Sequence, residues 1–427
     1  MQEDTRGAQL KFPRDFLWGA STSGHQTEGG LHDQWTVWEL GHAAELAKHA
    51  EKRYGHLPNW PQIKHQAKDP NNYVSGKGLD HLNRYPEDFK LVKKLNLNAY
   101  RFGVEWSRLE PEEGQWDEEA VEHYRKYIKT LKEMDIEPIL NLWHWTFPVW
   151  FGNKGGFKNR ANIKYFERFV KKVSDEYGHM IRYVITLNEP NNYVTFGYQL
   201  GLWPPGEKNF ITGAVVYWNL VQTHRRSYKI LKRRHPEMQV GIAAQLANIQ
   251  AKRPHNFFDE ISTKIMRYLW NWWFLRRIRK QQDFVGFNYY FTDYYTGVFK
   301  RENPKTPLND LGWYMEPEGL YPLLLRIWAR YKKPIIITEN GVADASDQYR
   351  RWWIEESIVA MQRALSEGVK LKGYFHWSLL DNFEWADGWW PKFGLVEVDR
   401  DKDMERKIRP SSKWFAERIK DLSETEK

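Results

Sequence analysis

A short β-rich run followed by a longer stretch of helical apolar spacing recurs eight times along this chain, and few folds accommodate that order. The runs are DFLWGAST at 15–22, AYRFGVEW at 99–106, EPILNLWHW at 137–145 and YVITLNEP at 183–190, then QVGIAAQL at 239–246, DFVGFNYY at 283–290, PIIITENG at 334–341 and LKGYFHWSL at 371–379. Between them, residues 85–97, 118–134, 162–177 and 352–368 place apolar side chains three or four apart among charges, which is the pattern of helices that bury one face. Strands this apolar have no wet face. The alternation therefore predicts an α/β fold, a single (β/α)8 TIM barrel with elaborated βα loops, over an open doubly wound sheet. A chain of 427 residues suffices for one such core, and residues 1–427 read as a single domain.

Each run is apolar at its start and ends in groups such as Glu105, His144, Asn188, Glu189, Asn288 and Glu339. Barrel enzymes build their sites at that end of the strands, whereas turns alone favour Gly, Asn, Asp and Ser over His, Glu and Trp. Two segments interrupt the regular count. Residues 41–78, polar and carrying Pro58, Pro61 and Pro70, read as a long loop insertion after the first strand, partly helical and bordering the site. Residues 268–280, YLWNWWFLRRIRK, join an aromatic cluster to a basic one. They read as a barrel helix burying its aromatics, with a membrane-surface helix as the alternative.

Composition removes several classes. The absence of cysteine excludes disulfides, thiolate nucleophiles and cysteine-ligated metals. No metal site is expected elsewhere, because His144 has no second histidine at suitable spacing, and no cofactor is expected either. The polar N-terminus lacks the apolar stretch of a secretion signal, and no run is long enough to span a bilayer, so a cytoplasmic location is expected. The net charge of +9 comes from 64 basic and 55 acidic residues interspersed along the chain, without the basic stripe of a nucleic-acid binder. Peripheral membrane contact and oligomeric state stay open. The 23 tryptophans, 23 tyrosines and 22 phenylalanines suit either core filling or stacking on the C–H faces of sugar rings.

The strongest chemical signal is a pair of glutamates, Glu189 in TLNEP and Glu339 in ITENG, at the ends of the fourth and seventh runs. Cleaving a glycoside with retention needs one carboxyl to protonate the leaving oxygen and another to attack the anomeric carbon, about 5–5.5 Å apart. In a barrel both would open into the same mouth.

These motifs, with FPRDFLWGASTSGHQTEG, YRFGVEWSRLEP, LWHWTFPVW, GYQLGLWPPG, DFVGFNYY, ITENGVAD and HWSLLDNFEWADGWWPKFGLVEVD, resemble glycoside hydrolase family 1 from about residue 12 onward. The wording of GVEWSR and ITENGVAD is similar to archaeal-type members. The resemblance implies Glu339 as nucleophile and Glu189 as acid and then base, with Arg101, Tyr290 and Asn288 supporting the nucleophile. It implies sugar recognition by Gln26, His144, Trp145, Asn188, Glu384 and Trp385, with Trp377 as ring platform, Phe393 closing the pocket and Trp313 on its rim. The charge on Glu339 is expected to hold Glu189 protonated, and an Arg101–Glu105 salt bridge is a compatible structural role for Arg101. Glutamate rather than glutamine in TLNEP implies an O-glycosidase, and a negative Glu384 would disfavour phosphorylated sugars. His25 stands where the family usually has tyrosine, and the stretch before the sixth run is short, which leaves the leaving-group preference open. The implied activity is a cofactor-free, retaining exo-β-glucosidase acting on small β-glycosides or oligosaccharides, also accepting β-galactosides or β-fucosides, with transglycosylation as a side reaction. A β-mannosidase or transferase-like relative is the alternative within enzymes. A non-catalytic sugar-binding module is the alternative outside them, and the presence of both carboxylates speaks against it.

Overall fold

The computed structural model describes residues 11–297 and 299–423; the polar start of the chain lies outside the described residues. Eight parallel strands form a closed barrel: β1 (Leu17–Ser21), β2 (Ala99–Gly103), β3 (Glu137–Asn141), β4 (Tyr183–Asn188), β5 (Gln239–Gln245), β6 (Val285–Tyr289), β7 (Ile335–Asn340) and β8 (Leu371–Trp377). They pair in chain order, and β8 closes on β1 in the register Leu17 with Gly373 to Ser21 with Trp377. A main helix follows each strand: α1 (His81–Lys94), α2 (Glu118–Glu133), α3 (Ile163–Tyr177), α4 (Phe210–Arg234), α5 (Phe257–Arg267), α6 (Leu320–Tyr331), α7 (Arg350–Ser366) and α8 (Pro410–Ser423).

The two-residue period of a strand sorts the side chains into two cores. Ala99, Ile139, Ile185, Ala243, Ile336 and Phe375 form a cluster of their own that fills the barrel. Their strand neighbours Tyr100, Leu140, Val184, Ile242, Ile337 and Tyr374 belong instead to the large cluster shared with the helices. Glycine at position 19 is a packing requirement, since a Cβ there would stand 2.3 Å from the Phe375 ring. The helices answer with apolar faces: α3 buries Phe166, Phe169, Val170, Val173 and Tyr177 at three- and four-residue spacing.

The strands stop short of their predicted ends. β3 ends at Asn141 rather than 145, and β2 at Gly103 rather than 106. Beyond those points the backbone turns outward, with Trp145 and Glu189 at positive φ (76° and 41°), a conformation that cannot continue a ladder.

The insertion after β1 is also corrected, because it is mostly helical rather than a loop. Helices Gln34–Lys48, Ala50–Tyr54 and Trp60–Ala67 and a 3-10 turn Pro70–Tyr73 fill it. Pro61 and Pro70 sit in the first turn of their segments, where the missing N–H costs nothing, so they start helices instead of breaking them. Residues 268–280 bury Trp272, Phe274, Leu275 and Ile278 through a π-turn (Tyr268–Trp272) and a short helix (Trp273–Arg277). The expected burial is incomplete: Trp270 turns to the barrel mouth, and Leu269 is 49% exposed. Among the described residues, no helix is long and apolar enough to cross a membrane.

Candidate active site

The mouth at the carboxyl ends of the strands holds a cavity of about 490 Å³. Glu189 and Glu339 both line it, as do His144, Trp145, Tyr290 and Trp313 and, from β8 and the loop after it, Trp377, Glu384, Trp385 and Phe393. Gln26, Arg101, Asn188 and Asn288 are fully buried around these groups.

The two carboxyls have opposite company. Glu339, at the end of β7, accepts a hydrogen bond from the Tyr290 hydroxyl at 2.7 Å and a close one from Arg101 Nη1. A guanidinium and a phenol, both donating, form a setting for a charged carboxylate. Burial and the charge of Glu339 push the Tyr290 phenol well above its usual range, so it stays a donor. Glu189, in the left-handed conformation that caps the turn Pro190–Val194, accepts from the amides of Asn288 at 2.8 Å and Asn192 at 2.6 Å. Burial in the first place, and the charge of Glu339 in the second, raise Glu189 well above the ordinary carboxylate range. The sequence expectation had credited Glu339 alone.

Two placements differ from expectation. Asn288 hydrogen-bonds Glu189, at the end of β4 two strands away, rather than the nucleophile candidate on the adjacent β7. Arg101 makes no salt bridge with Glu105: its second nitrogen donates to Asn188 Oδ1 at 2.7 Å, while Glu105 accepts from the His25 backbone N–H and Thr146. The Asn188 carboxamide oxygen accepts from Arg101 and Asn288, and its nitrogen donates to His144 Nε2 at 2.9 Å. Asn188 therefore orients His144, whose pKa burial and the Arg101 charge hold well below the usual imidazole range.

Glu384 accepts from Asn382 at 3.3 Å and lies 3.5 Å from the Gln26 amide. Burial and nearby Asp387 raise Glu384 well above the usual carboxyl range. Trp145 and Trp385 pack at 4.7 Å between ring centroids, and Trp385, at φ 50°, stacks on the far side against His25 at 5.3 Å and 3°. Trp377, Phe393, Tyr290 and Trp313 form the opposite aromatic cluster.

Several groups escaped sequence reading. Asn192 was legible as the third residue after Glu189 in a helical turn, the spacing at which a side chain reaches back. Trp270, which donates to Gln245, and Met266 close the outer wall, and no local signal marked them. The insertion after β1 reaches across to the β8 loop: Arg53 and Tyr54 both donate to Asp387, at 2.8 and 2.6 Å, and the Asn72 amide donates to the Asp387 carbonyl. Glu384 and Trp385 are thereby held from behind. Among the described residues, no group of three or more His, Asp or Glu could hold a metal ion.

The family model described as glycosyl hydrolase family 1 matches residues 8–278 and 274–423 of this chain. Beta-glucosidase A of Acetivibrio thermocellus is 29% identical over 465 residues, covering 97% of this chain and 99% of that protein. Among solved structures, the beta-glycosidase from Pyrococcus horikoshii superposes with a TM-score of 0.85 at 32% identity, covering 97% of this chain and 96% of its own. The beta-glucosidase from Thermotoga maritima in complex with glucoimidazole does so with a TM-score of 0.84 at 27% identity, over 96% and 99%.

Proposed function

The chain belongs to glycosyl hydrolase family 1, and from that premise we propose that it is a retaining exo-β-glycosidase that releases terminal β-D-glucosyl residues. The observation that carries the reading is the contrast between the two carboxyls: Glu339 faces a guanidinium and a phenol, whereas Glu189 is buried against amides and raised in pKa. One environment suits a nucleophile and the other a proton donor.

In the first step Glu189 gives its proton to the glycosidic oxygen as that bond breaks, and a Glu339 oxygen bonds to the anomeric carbon. The aglycone leaves as an alcohol. The negative charge of Glu339 is consumed in the new ester, and Glu189 is left ionised. In the second step Glu189 takes a proton from water, the water oxygen attacks the anomeric carbon from the opposite face, and Glu339 is expelled as carboxylate. Two inversions give net retention. Trp377 is the proposed platform for the ring, and Gln26, His144, Glu384 and Trp385 the proposed readers of its hydroxyls. A pocket of this kind discriminates epimers modestly, so β-galactosides and β-fucosides are proposed as further substrates. The aromatic outer wall, with Trp313 and Trp270, supports interception of the intermediate by an acceptor sugar. We read the chain as one catalytic domain working without a cofactor.

The test is hydrolysis of p-nitrophenyl β-D-glucoside, β-galactoside, β-fucoside and β-mannoside by wild type and Glu339→Ala, with the first-formed anomer followed by NMR. The expected result is a β-anomer from wild type, and an inactive mutant partly rescued by azide with the inverted product. An inactive wild type, or an unaffected mutant, overturns the two-glutamate reading.

A further inference from the structure

We propose that the face formed by α4 and the helical stretch 257–280 docks on an anionic lipid surface. Along the outward side of α4, Phe210, Ile211, Val215 and Trp218 are exposed, Ile211 to 78%. They are followed on the same helix by Arg225, Arg226 and Lys229. The stretch 257–280 has the same order. Phe257, Ile261, Ile265 and Leu269 recur every four residues, with Phe258 beside them, and form one exposed ridge. Basic Arg276, Arg279 and Lys280 follow, all exposed. Tyr217 stacks on Trp273 at 4.5 Å and 14°, and Trp218 approaches it at 6.4 Å, so the two elements lie side by side.

Nine of the fifteen exposed large apolar residues among those described belong to these two elements, so the exposure is a patch and not scatter. Their basic ends border a groove of about 530 Å³ lined by Arg, Lys and Gln, with no carboxylate in its wall. An apolar ridge running into a cationic belt matches the two layers of an anionic bilayer surface, acyl boundary and headgroup phosphate. A soluble polyanion would use the groove and leave the ridge in water. The net charge of +9 favours the same encounter. Trp270, next to Leu269, lines the active-site cavity, so docking would bring the outer wall of that cavity beside the lipid.

The experiment is cosedimentation of the full chain with vesicles of phosphatidylcholine mixed with phosphatidylglycerol, and with phosphatidylcholine alone, at low and high salt. Wild type should partition onto the mixed vesicles about tenfold better than onto neutral ones, and salt should weaken the binding. The ridge variant F257S/F258S/I261S and the belt variant R276E/R279E/K280E should each lose about tenfold, with melting by circular dichroism showing that both fold. Glu339→Ala should bind like wild type, which keeps this test separate from the hydrolytic reading. The proposal is overturned if wild type binds neither vesicle, or if folded variants bind as well as wild type. It is equally overturned if sedimentation equilibrium shows a dimer that the ridge variant dissociates, or if heparin binds and vesicles do not.

Discussion

Glu189 and Glu339 are the same side chain given different work by their neighbours, and the difference can be measured. Hydrolysis needs Glu189 protonated, so activity should fall as pH rises through its raised pKa, giving the alkaline limb of kcat/KM. The amide bonds from Asn288 and Asn192 favour its charged form and work against that rise. Asn192→Ala should therefore move the alkaline limb upward in pH, whereas Glu339→Gln, assayed by its residual rate, should move it down; an unmoved limb in both would mean that another group sets it. Glu189→Gln should lower kcat/KM on unactivated glycosides by roughly 10²–10⁴ and much less on a p-nitrophenyl leaving group, which needs little protonation, while kcat falls on both because the second step has lost its base. His25 provides a second residue-scale test. Burial alone would pull its pKa down, but Asp33 at 3.0 Å and Glu39 at 3.5 Å push it up to about 10. The folded pKa lies above the unfolded ~6.5, so this stabilisation is complete below about pH 6.5 and is lost as pH rises toward 10. His25→Gln leaves Asp33 and Glu39 buried without a counter-charge and should cost about 3–5 kcal/mol near neutrality. Denaturant titrations at pH 6 and pH 10 should show a larger difference between wild type and mutant at the lower pH; an equal difference would mean that His25 is not charged.

Among the elements, the strands were legible because a two-residue period inside a buried barrel leaves little freedom, as the split of Ala99 from Tyr100 and Ile139 from Leu140 shows. Their carboxyl ends were not: Glu189 leaves the β4 ladder by a φ that its residue type does not announce, and β3 already ends at Asn141, four residues before Trp145. The insertion after β1 was misread for a related reason: prolines mark both breaks and starts, and only the following turn decides which. What it does could not be read locally at all, since Arg53 and Asp387 meet across more than three hundred residues of chain. Likewise Glu189, Glu339, Tyr290 and Asn288 all stood in motifs, but Asn288 was assigned to the wrong carboxyl because motif position does not say that its amide reaches the end of β4, two strands away, instead of the adjacent β7. The contact between the insertion and the β8 loop predicts that Asp387→Ala, which removes the partner of both Arg53 and Tyr54, frees the loop carrying Glu384 and Trp385. KM for β-glucosides should rise roughly tenfold with a smaller fall in kcat. A loss confined to kcat would show that this loop acts on the chemistry and not on binding.

At the scale of the whole molecule, one apolar cluster runs from Phe12 to Leu422 and joins strands, helices and part of the loops. It predicts one cooperative calorimetric transition; two resolved transitions would show that the insertion unfolds by itself. Since no described group of side chains could hold a metal, activity should be unchanged by EDTA, and a loss restored by a divalent ion would contradict this. The closing of β8 on β1 also sets a schedule. During synthesis β1 can pair with β2 early, but its other edge waits for β8, roughly 350 residues later, which at ~5–20 residues per second is tens of seconds. Through that interval the nascent chain carries an open edge of Leu17–Ser21, a template for pairing with a neighbour's strand. Slower initiation or lower temperature, which space out neighbouring chains or weaken their apolar association, should therefore raise the yield of folded protein more than any change made to its finished surface.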